Sequence, residues 1–330
     1  MAENWSLYHP ELPEPLRRLA DTPPMQRLRQ VGMNCGCEYT AFPRFAGWAP
    51  YSRFDHSVGV GLIVWHFTGD LRQSAAGLLH DVATPVFAHT VDFLNGDHLR
   101  QESTEARTAE VIAASPELRA LLAEYGLAPE DVSDCHRFPI ADNDAPRLCA
   151  DRLEYTLGNL RSYGFADGDA LRAFYADLTA ANNEGGVPEL AFRTPETACA
   201  FTEAALSTGR IYVADEDRFA MQALADLLCA ALDRGVLTEA DLHTTEPLVI
   251  RKLEADPETA AMWRRFRAYR RLDRAPRRPA GTGWIQVPAK LRYIDPLIAG
   301  VGRVSRCSPR IAGLLAEFRR TDLACWLRGE

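Results

Sequence analysis

The 330-residue sequence has no run of about 18 apolar residues, so no membrane-spanning helix is expected. It has no excess of positive charge. Thirty-seven Lys and Arg stand against 45 Asp and Glu, for a net charge of −8. That balance argues against general nucleic-acid binding and leaves room only for a local basic pocket. No two cysteine pairs stand at zinc-finger spacing. The eight cysteines are scattered, and Cys199, Cys229 and Cys325 lie in apolar helical patterns. Such usage reads as buried thiols in a reducing cytoplasm, not a disulfide framework. Cys35 and Cys37 form a C-x-C that reads as a loop of small residues. The opening MAENWSLYHPELPEP is polar and proline-rich, unlike a secretory leader. There is no repeat of fixed period and no low-complexity tract. A cytoplasmic protein that binds neither membrane nor nucleic acid is expected.

What is present is helical punctuation. Residues 1–24 read as an extended arm and Met25–Gly32 as a short helix. Asn34–Ser52 reads as loop with a strand at Glu38–Phe42. Ser115-Pro116-Glu117 opens a helix that Gly126 closes, and Thr194-Pro195-Glu196 opens one that Gly209 ends. Glu216–Asp233 is amphipathic, and Asp256-Pro257-Glu258 opens a helix through Leu272. RAPRRPAGTG (274–283) is a linker by composition, Trp284–Ile294 a strand, and Pro309 to about Leu327 a last helix. The expected fold is mainly α, about a dozen helices with a minor β element. Residues 1–273 form the core with its N-terminal arm, and 274–330 a linker, strand and helix packed on it.

The chemistry concentrates between Arg53 and Asp92. RFDHSVGVGLIVWHF leads to AAGLLHDVATPVFAHTVD, which places a lone His56 and the doublet His80-Asp81 among residues too apolar for a surface. A lone buried histidine is usually a satisfied core residue. An adjacent His-Asp pair is harder to bury without a partner or a metal. Asp151, among Leu148, Cys149, Leu153 and Leu157, stands on the packed side of its helix and is the candidate fourth member. Two imidazoles and two carboxylates suit one divalent ion, such as Mn, Co, Fe, Ni or Mg, with two positions left for water and substrate.

These motifs resemble the HD-domain superfamily of metal-dependent phosphohydrolases, whose pattern is H…HD…D. The likeness runs in order through RLRQVG (27–32), RFDHSVGVG (53–61), the doublet block (75–92), QESTEA (101–106), ADRLEYTL (150–157) and KLRYIDPLI (290–298). It is nearest to the deoxynucleoside-triphosphate triphosphohydrolase branch. The resemblance implies a multi-helix HD-domain fold, His56, His80, Asp81 and Asp151 as metal ligands, Arg53 at a phosphate or backing the metal, and Tyr155 near the sugar. It also implies a nucleotide substrate and allows a homo-oligomer. Two positions depart from that branch: Thr84 and Gln101 stand where it carries histidines. The departures, with the 24-residue step from His56 to His80, also resemble nucleotide phosphohydrolases of nucleoside-antibiotic pathways.

The expected activity is hydrolysis of a phosphoester or phosphoanhydride, with stepwise removal of phosphates from a nucleotide placed first. Release of intact triphosphate is the near alternative, and a non-catalytic nucleotide-binding module a further one. His89 is the candidate proton donor to the leaving oxygen, with Glu102 holding His89 or a water. Arg152, Lys290 and Arg292 are candidate phosphate contacts. His66, His98 and His136 match no motif position.

Overall fold

The computed structural model describes residues 4–91 and 107–330. Among these residues the chain is mainly helical, with sixteen α-helical segments and six short strands. No helix among them is long and apolar enough to cross a membrane. The principal helices are α1 (Glu14–Ala20), α2 (Arg53–Thr68), α3 (Leu71–Leu79), α4 (Pro116–Glu124), α5 (Ala150–Ser162), α6 (Pro195–Tyr212), α7 (Asp215–Asp233), α8 (Glu246–Ala255), α9 (Pro257–Ala268) and α10 (Pro309–Phe318).

Helix α2 starts where a capping box forces it to. The Ser52 hydroxyl accepts from the Asp55 N–H, and the Asp55 carboxylate accepts from the Ser52 N–H. From Arg53 to Val64 every residue except Asp55 is buried, so α2 is the central post of the molecule. Helix α3 packs along it. The α3 helix ends at Leu79, and the doublet His80-Asp81 turns out of its C-terminus. Helix α5 crosses on the other side and brings Asp151 in its first turn.

Two apolar clusters result. One holds Leu16, Leu19, Phe54, Leu62, Leu78, Leu153, Leu157, Phe192, Phe201 and Phe318. The other holds Cys37, Phe42, Phe45, Val86, Phe87, Phe219, Leu224, Trp263, Phe266 and Leu327.

Strands β1 (Leu178–Asn182) and β2 (Pro188–Phe192) form an antiparallel hairpin, which the sequence reading did not anticipate. Its turn is Asn183-Glu184-Gly185-Gly186. With β4 (Leu297–Ile298) and β5 (Gly302–Arg303) it makes a four-stranded sheet of order β1-β2-β4-β5. This sheet supports the site. Glu189, fully buried on β2, takes two bonds from the Arg303 guanidinium (2.5 and 2.7 Å). It also accepts from the Leu148 N–H (3.2 Å), and so fixes the segment that delivers Asp151. Strand β3 (Leu272–Ala275) pairs antiparallel with β6 (Trp326–Gly329).

Several expectations are corrected. The arm is not extended: it contains a 3-10 turn at Asn4–Leu7 and α1, both packed on the core. Glu38–Phe42 is not a strand: Glu38 and Tyr39 belong to a 3-10 turn, Cys37–Tyr39, and residues 40–42 lead into a second, Pro43–Phe45. Trp284–Ile294 forms only a single bridge, from Ile285 to Leu327 of β6 (Trp326–Gly329), and Pro288, which has no N–H to give, stands three residues on. The last helix stops at Phe318, and residues 326–329 return as β6. The α9 helix ends at Ala268, and Leu272 opens β3. Gly209 does not end its helix, which continues to Tyr212. A Cβ at 209 would lie 2.8 Å from the Arg292 carbonyl oxygen, so glycine there admits the 290s segment.

A buried acid pair has a consequence for pH. Glu246 accepts from the Gly32 N–H and the Tyr39 hydroxyl (both 2.7 Å), while the buried Glu38 Oε2 has no partner among the described residues. Burial, then the charge of Glu246, pushes the Glu38 carboxyl up to about 8. The folded chain therefore keeps a proton that the unfolded chain releases near 4.5. Stability from this group is whole below that pH and is lost as pH rises towards about 8. Glu38→Gln, which mimics the protonated acid, should flatten this decline in urea midpoints measured from pH 5 to pH 8. An unchanged slope would count against the assignment.

Candidate metal centre and substrate cavity

A cavity of about 900 Å³ is lined by residues from α2, α5, α7, the doublet and the 289–292 segment. At one wall four side chains converge. His56 Nε2 lies 3.2 Å from His80 Nε2 and 3.1 Å from Asp151 Oδ1. His80 Nε2 lies 3.6 Å from Asp151 Oδ1 and 3.6 Å from Asp81 Oδ2. Asp81 Oδ2 is 3.7 Å from His56 Nε2. His56, His80 and Asp151 present ligand atoms mutually within 4.8 Å.

The outer nitrogens decide what the inner ones can do. His56 Nδ1 sits 2.6 Å from Glu154 Oε2, and His80 Nδ1 2.7 Å from the Gly77 carbonyl oxygen. Both partners accept, so each ring holds a proton on Nδ1 and turns Nε2, the ligating nitrogen of the neutral ring, inward. Two inward Nε2 atoms and two carboxylates face one point, and without a cation they are reconciled only when the rings take up a second proton. Asp81, Asp151 and Glu154 bring three carboxylates to this wall, and the Arg53 guanidinium pairs directly with Asp81. A divalent cation answers both the geometry and the charge, and the residues present fit one.

The protein's own electrostatics show the same strain. Burial lowers the His56 imidazole, but bonds to Asp151 and Glu154 outweigh it and push the ring up to about 10. Burial would raise the Asp151 carboxyl, but bonds from the two imidazoles hold it well below the carboxylate range. Asp81 is likewise held low: the Arg53, His80 and His56 charges overcome its burial.

The supporting residues are specific. Arg53 Nη1 donates to Asp81 Oδ2 (2.8 Å), and the buried Thr84 hydroxyl donates to Asp81 Oδ1 (2.8 Å). Arg27 holds the loop after the doublet through the carbonyls of Val82 (3.1 Å) and Thr84 (2.7 Å). Tyr8 (3.1 Å) and Tyr51 both donate to Glu154. Residues Phe87 and Ala88 adopt left-handed backbone (φ 56° and 43°), as does Cys35 (φ 56°). Non-glycine residues take that conformation at a cost, here beside His89 on the cavity wall.

Of the residues singled out from sequence, His56, His80, Asp81, Asp151, Arg53, His89, Tyr155, Lys290 and Arg292 all line this cavity. Glu102, Gln101, Asp92 and His98 lie outside the described residues. Arg152 lines the cavity, but its guanidinium bonds the carbonyls of Arg147 (2.7 Å) and Asn143 and pairs with Asp142 (3.2 Å), a structural use. Sequence reasoning missed Glu154, which stands three residues after Asp151, on the buried side of the same helix. It also missed His136 and Asp217 as lining residues.

Gly59 shows how tightly Glu154 is seated. A Cβ at 59 would lie 2.5 Å from Glu154 Cγ, and Glu154 is pinned by three partners. Gly59→Ala should therefore weaken metal binding by about tenfold or more through the displaced Glu154–His56 pair. Titration with Mn(II) checks it, and an unchanged affinity would show that the seat has slack.

No family model matches the chain. Over 168 residues it is 30% identical to the uncharacterized protein YdhJ of Bacillus subtilis, covering 51% of this chain and 50% of that one. Over 148 residues it is 32% identical to the metal-dependent phosphohydrolase cns2 of Cordyceps militaris, covering 41% of each. Over 144 residues it is 29% identical to the deoxynucleoside triphosphate triphosphohydrolase SAMHD1 of Gallus gallus, covering 37% of this chain and 23% of that protein. The matches thus span half or less of these relatives' lengths. They bear out the resemblance to the HD-domain phosphohydrolase superfamily.

Proposed function

We propose that this relative of the metal-dependent phosphohydrolases hydrolyses phosphate from a nucleotide. The observation that carries the reading is the convergence of His56, His80, Asp81 and Asp151 at the wall of a cavity large enough for a nucleotide. The names of two relatives, a metal-dependent phosphohydrolase and a deoxynucleoside triphosphate triphosphohydrolase, support it.

A divalent ion held by these four residues supplies an electrophile for a phosphoryl oxygen and an acidified water. Mn, Co, Fe, Ni and Mg all accept such a mixed nitrogen and oxygen set. The chain's own groups do the rest. Glu154 and the Gly77 carbonyl fix the two imidazoles in the ligating tautomer. Arg53 orients Asp81 and stands at the cavity surface, where it meets a phosphate oxygen. Lys290 and Arg292 add positive charge on the same cavity for the remaining phosphates. Phosphoryl transfer asks mainly for such positioning and neutralisation. His89, at the cavity wall, gives a proton to the leaving oxygen. Tyr155 lies against the sugar.

Stepwise removal of phosphates is the primary reading. It is supported by Thr84, whose hydroxyl is spent on Asp81 where the triphosphohydrolase branch carries a histidine. Intact triphosphate release is favoured by the printed name of the SAMHD1 relatives. A panel of nucleoside mono-, di- and triphosphates with Mn(II), Co(II) and Mg(II) tests both, with products separated by chromatography. Orthophosphate appearing in successive steps supports the first reading. Inorganic triphosphate supports the second. No product from any nucleotide with any metal would refute the enzymatic account.

A further inference from the structure

The phosphoryl chemistry occupies one wall of the cavity and leaves another unassigned. Asp151, Tyr155, Asn159 and Tyr163 recur every fourth residue and all line it, so they follow one face of α5 and its C-terminal turn. From Asp151 to Tyr163 that face runs roughly 18 Å away from the metal cluster. At its end Tyr163 stacks on Trp48, with centroids 4.0 Å apart and planes 27° apart. Its hydroxyl reaches Asn34 Oδ1 at 3.3 Å. The Tyr212 hydroxyl accepts from the Asn159 amide at 2.7 Å. These flat rings offer a bed for a planar heterocycle.

Asp217, in the first turn of α7, shares this part of the cavity. Burial, then the charges of Tyr212 and Asp217, pushes the Tyr163 phenol up, which puts Asp217 within electrostatic reach of that ring. Asp217 is only 9% exposed. Its side chain's one hydrogen-bond partner among the described residues is the Cys37 thiol, 3.7 Å from Oδ1. A thiol is a weak donor. Arg44, whose charge acts on it, is taken by Glu216 at 2.9 Å. Nothing in the phosphohydrolase chemistry uses this carboxyl, and burial pushes it up to about 7. A buried carboxyl so poorly met is costly unless something that fills the cavity donates to it.

We propose that Asp217 reads the exocyclic amino group of the substrate's nucleobase. The chain then favours nucleotides of adenine, guanine or cytosine over those of hypoxanthine and uracil. This inference rests on the nucleotide reading above. An ionised carboxylate accepts from the amino group with either oxygen and has nothing to donate to an oxo base; a neutral carboxyl accepts with its carbonyl oxygen but also carries a donor, so the preference is sharpest where Asp217 is ionised. Hypoxanthine in place of adenine, or uracil in place of cytosine, presents an acceptor at the same place and leaves an ionised Asp217 facing a lone pair; hypoxanthine in place of guanine lacks the donor. A site built around such a bond discriminates strongly against the analogue that lacks the donor.

The test compares bases that carry the amino group with partners that lack it: adenosine and inosine, guanosine and inosine, cytidine and uridine nucleotides. Each is measured for kcat/KM by phosphate release, and for affinity by calorimetry on the metal-loaded chain. We expect at least one amino base to be preferred over its oxo partner by about tenfold or more. The preference should collapse to within about threefold in D217L, which keeps the volume and loses the acceptors, and survive in part in D217N, which keeps one. Should D217L unfold, D217A takes its place. Wild-type chain that separates none of the pairs, or D217L that separates them as well as wild type, would overturn the proposal. If no nucleotide turns over, the phosphohydrolase reading fails, while the affinity ratios still decide this one.

Discussion

Asp151→Asn and His80→Ala should each lower phosphate release by about a thousandfold or more and leave less than stoichiometric metal on the desalted chain. Each substitution removes one of the four proposed ligands. Asp151→Asn also removes one of the charges that the cation neutralises while keeping the volume. The fold should survive, because α5 is held by Leu153, Leu157 and Leu160 in the main core and not by the carboxylate. Asp151 is itself partly exposed to the cavity, and an Asn side chain, with both an acceptor and a donor, can still meet His56 Nε2, which Asp151 Oδ1 now faces at 3.1 Å. Circular dichroism and Tm report the fold, and steady-state rates with metal analysis report the site. Near wild-type rates with a full complement of metal in either variant would remove the substituted residue from the ligand set.

The second large effect is expected at a residue with no place in the H…HD…D pattern. Glu154→Gln should weaken metal affinity by roughly 10–100-fold, with kcat falling at subsaturating metal and recovering in part as metal is raised. Glu154 lies 2.6 Å from His56 Nδ1 and also accepts from Tyr8 and Tyr51. A carboxylate can take all three donors; a primary amide has only one oxygen for them. When the amide turns its NH₂ towards His56, the imidazole must move its proton to Nε2 and present N–H where a lone pair is needed. Titration of the chain with Mn(II) measures the loss directly. An affinity equal to wild type would mean that the tautomer is fixed by something else.

What the sequence revealed and what it hid follow from the range of the interactions. His56, His80 and Asp81 stand out because polar residues interrupt unusually apolar segments. Asp151 stands out because helical periodicity puts it on the packed side among Leu148, Leu153 and Leu157. Glu154 carries no such contrast: three residues on, it looks like an ordinary helix acid, and only the tertiary approach of α2, Tyr8 and Tyr51 gives it a task. Asp217 is hidden in the same way, as one of three acids in the first turn of α7. The helical class was legible because caps and first-turn prolines act locally. The strands were not, because pairing is set by what lies alongside. Trp284–Ile294 has strand composition and only one bridge, whereas the β1–β2 hairpin forms from the unremarked residues 178–192. Gly209 was misread as a stop because its close neighbour, the Arg292 carbonyl, is 83 residues away in the chain.

The account rests on one cation between two imidazoles and two aspartates. Crystals of the chain soaked in Mn(II) and measured for anomalous scattering test this most directly. The account predicts a single strong peak per chain, within ligand distance of His56 Nε2, His80 Nε2, Asp81 and Asp151. A well-ordered cavity with no peak at that point, or a peak that persists there in crystals of His80→Ala, would contradict it.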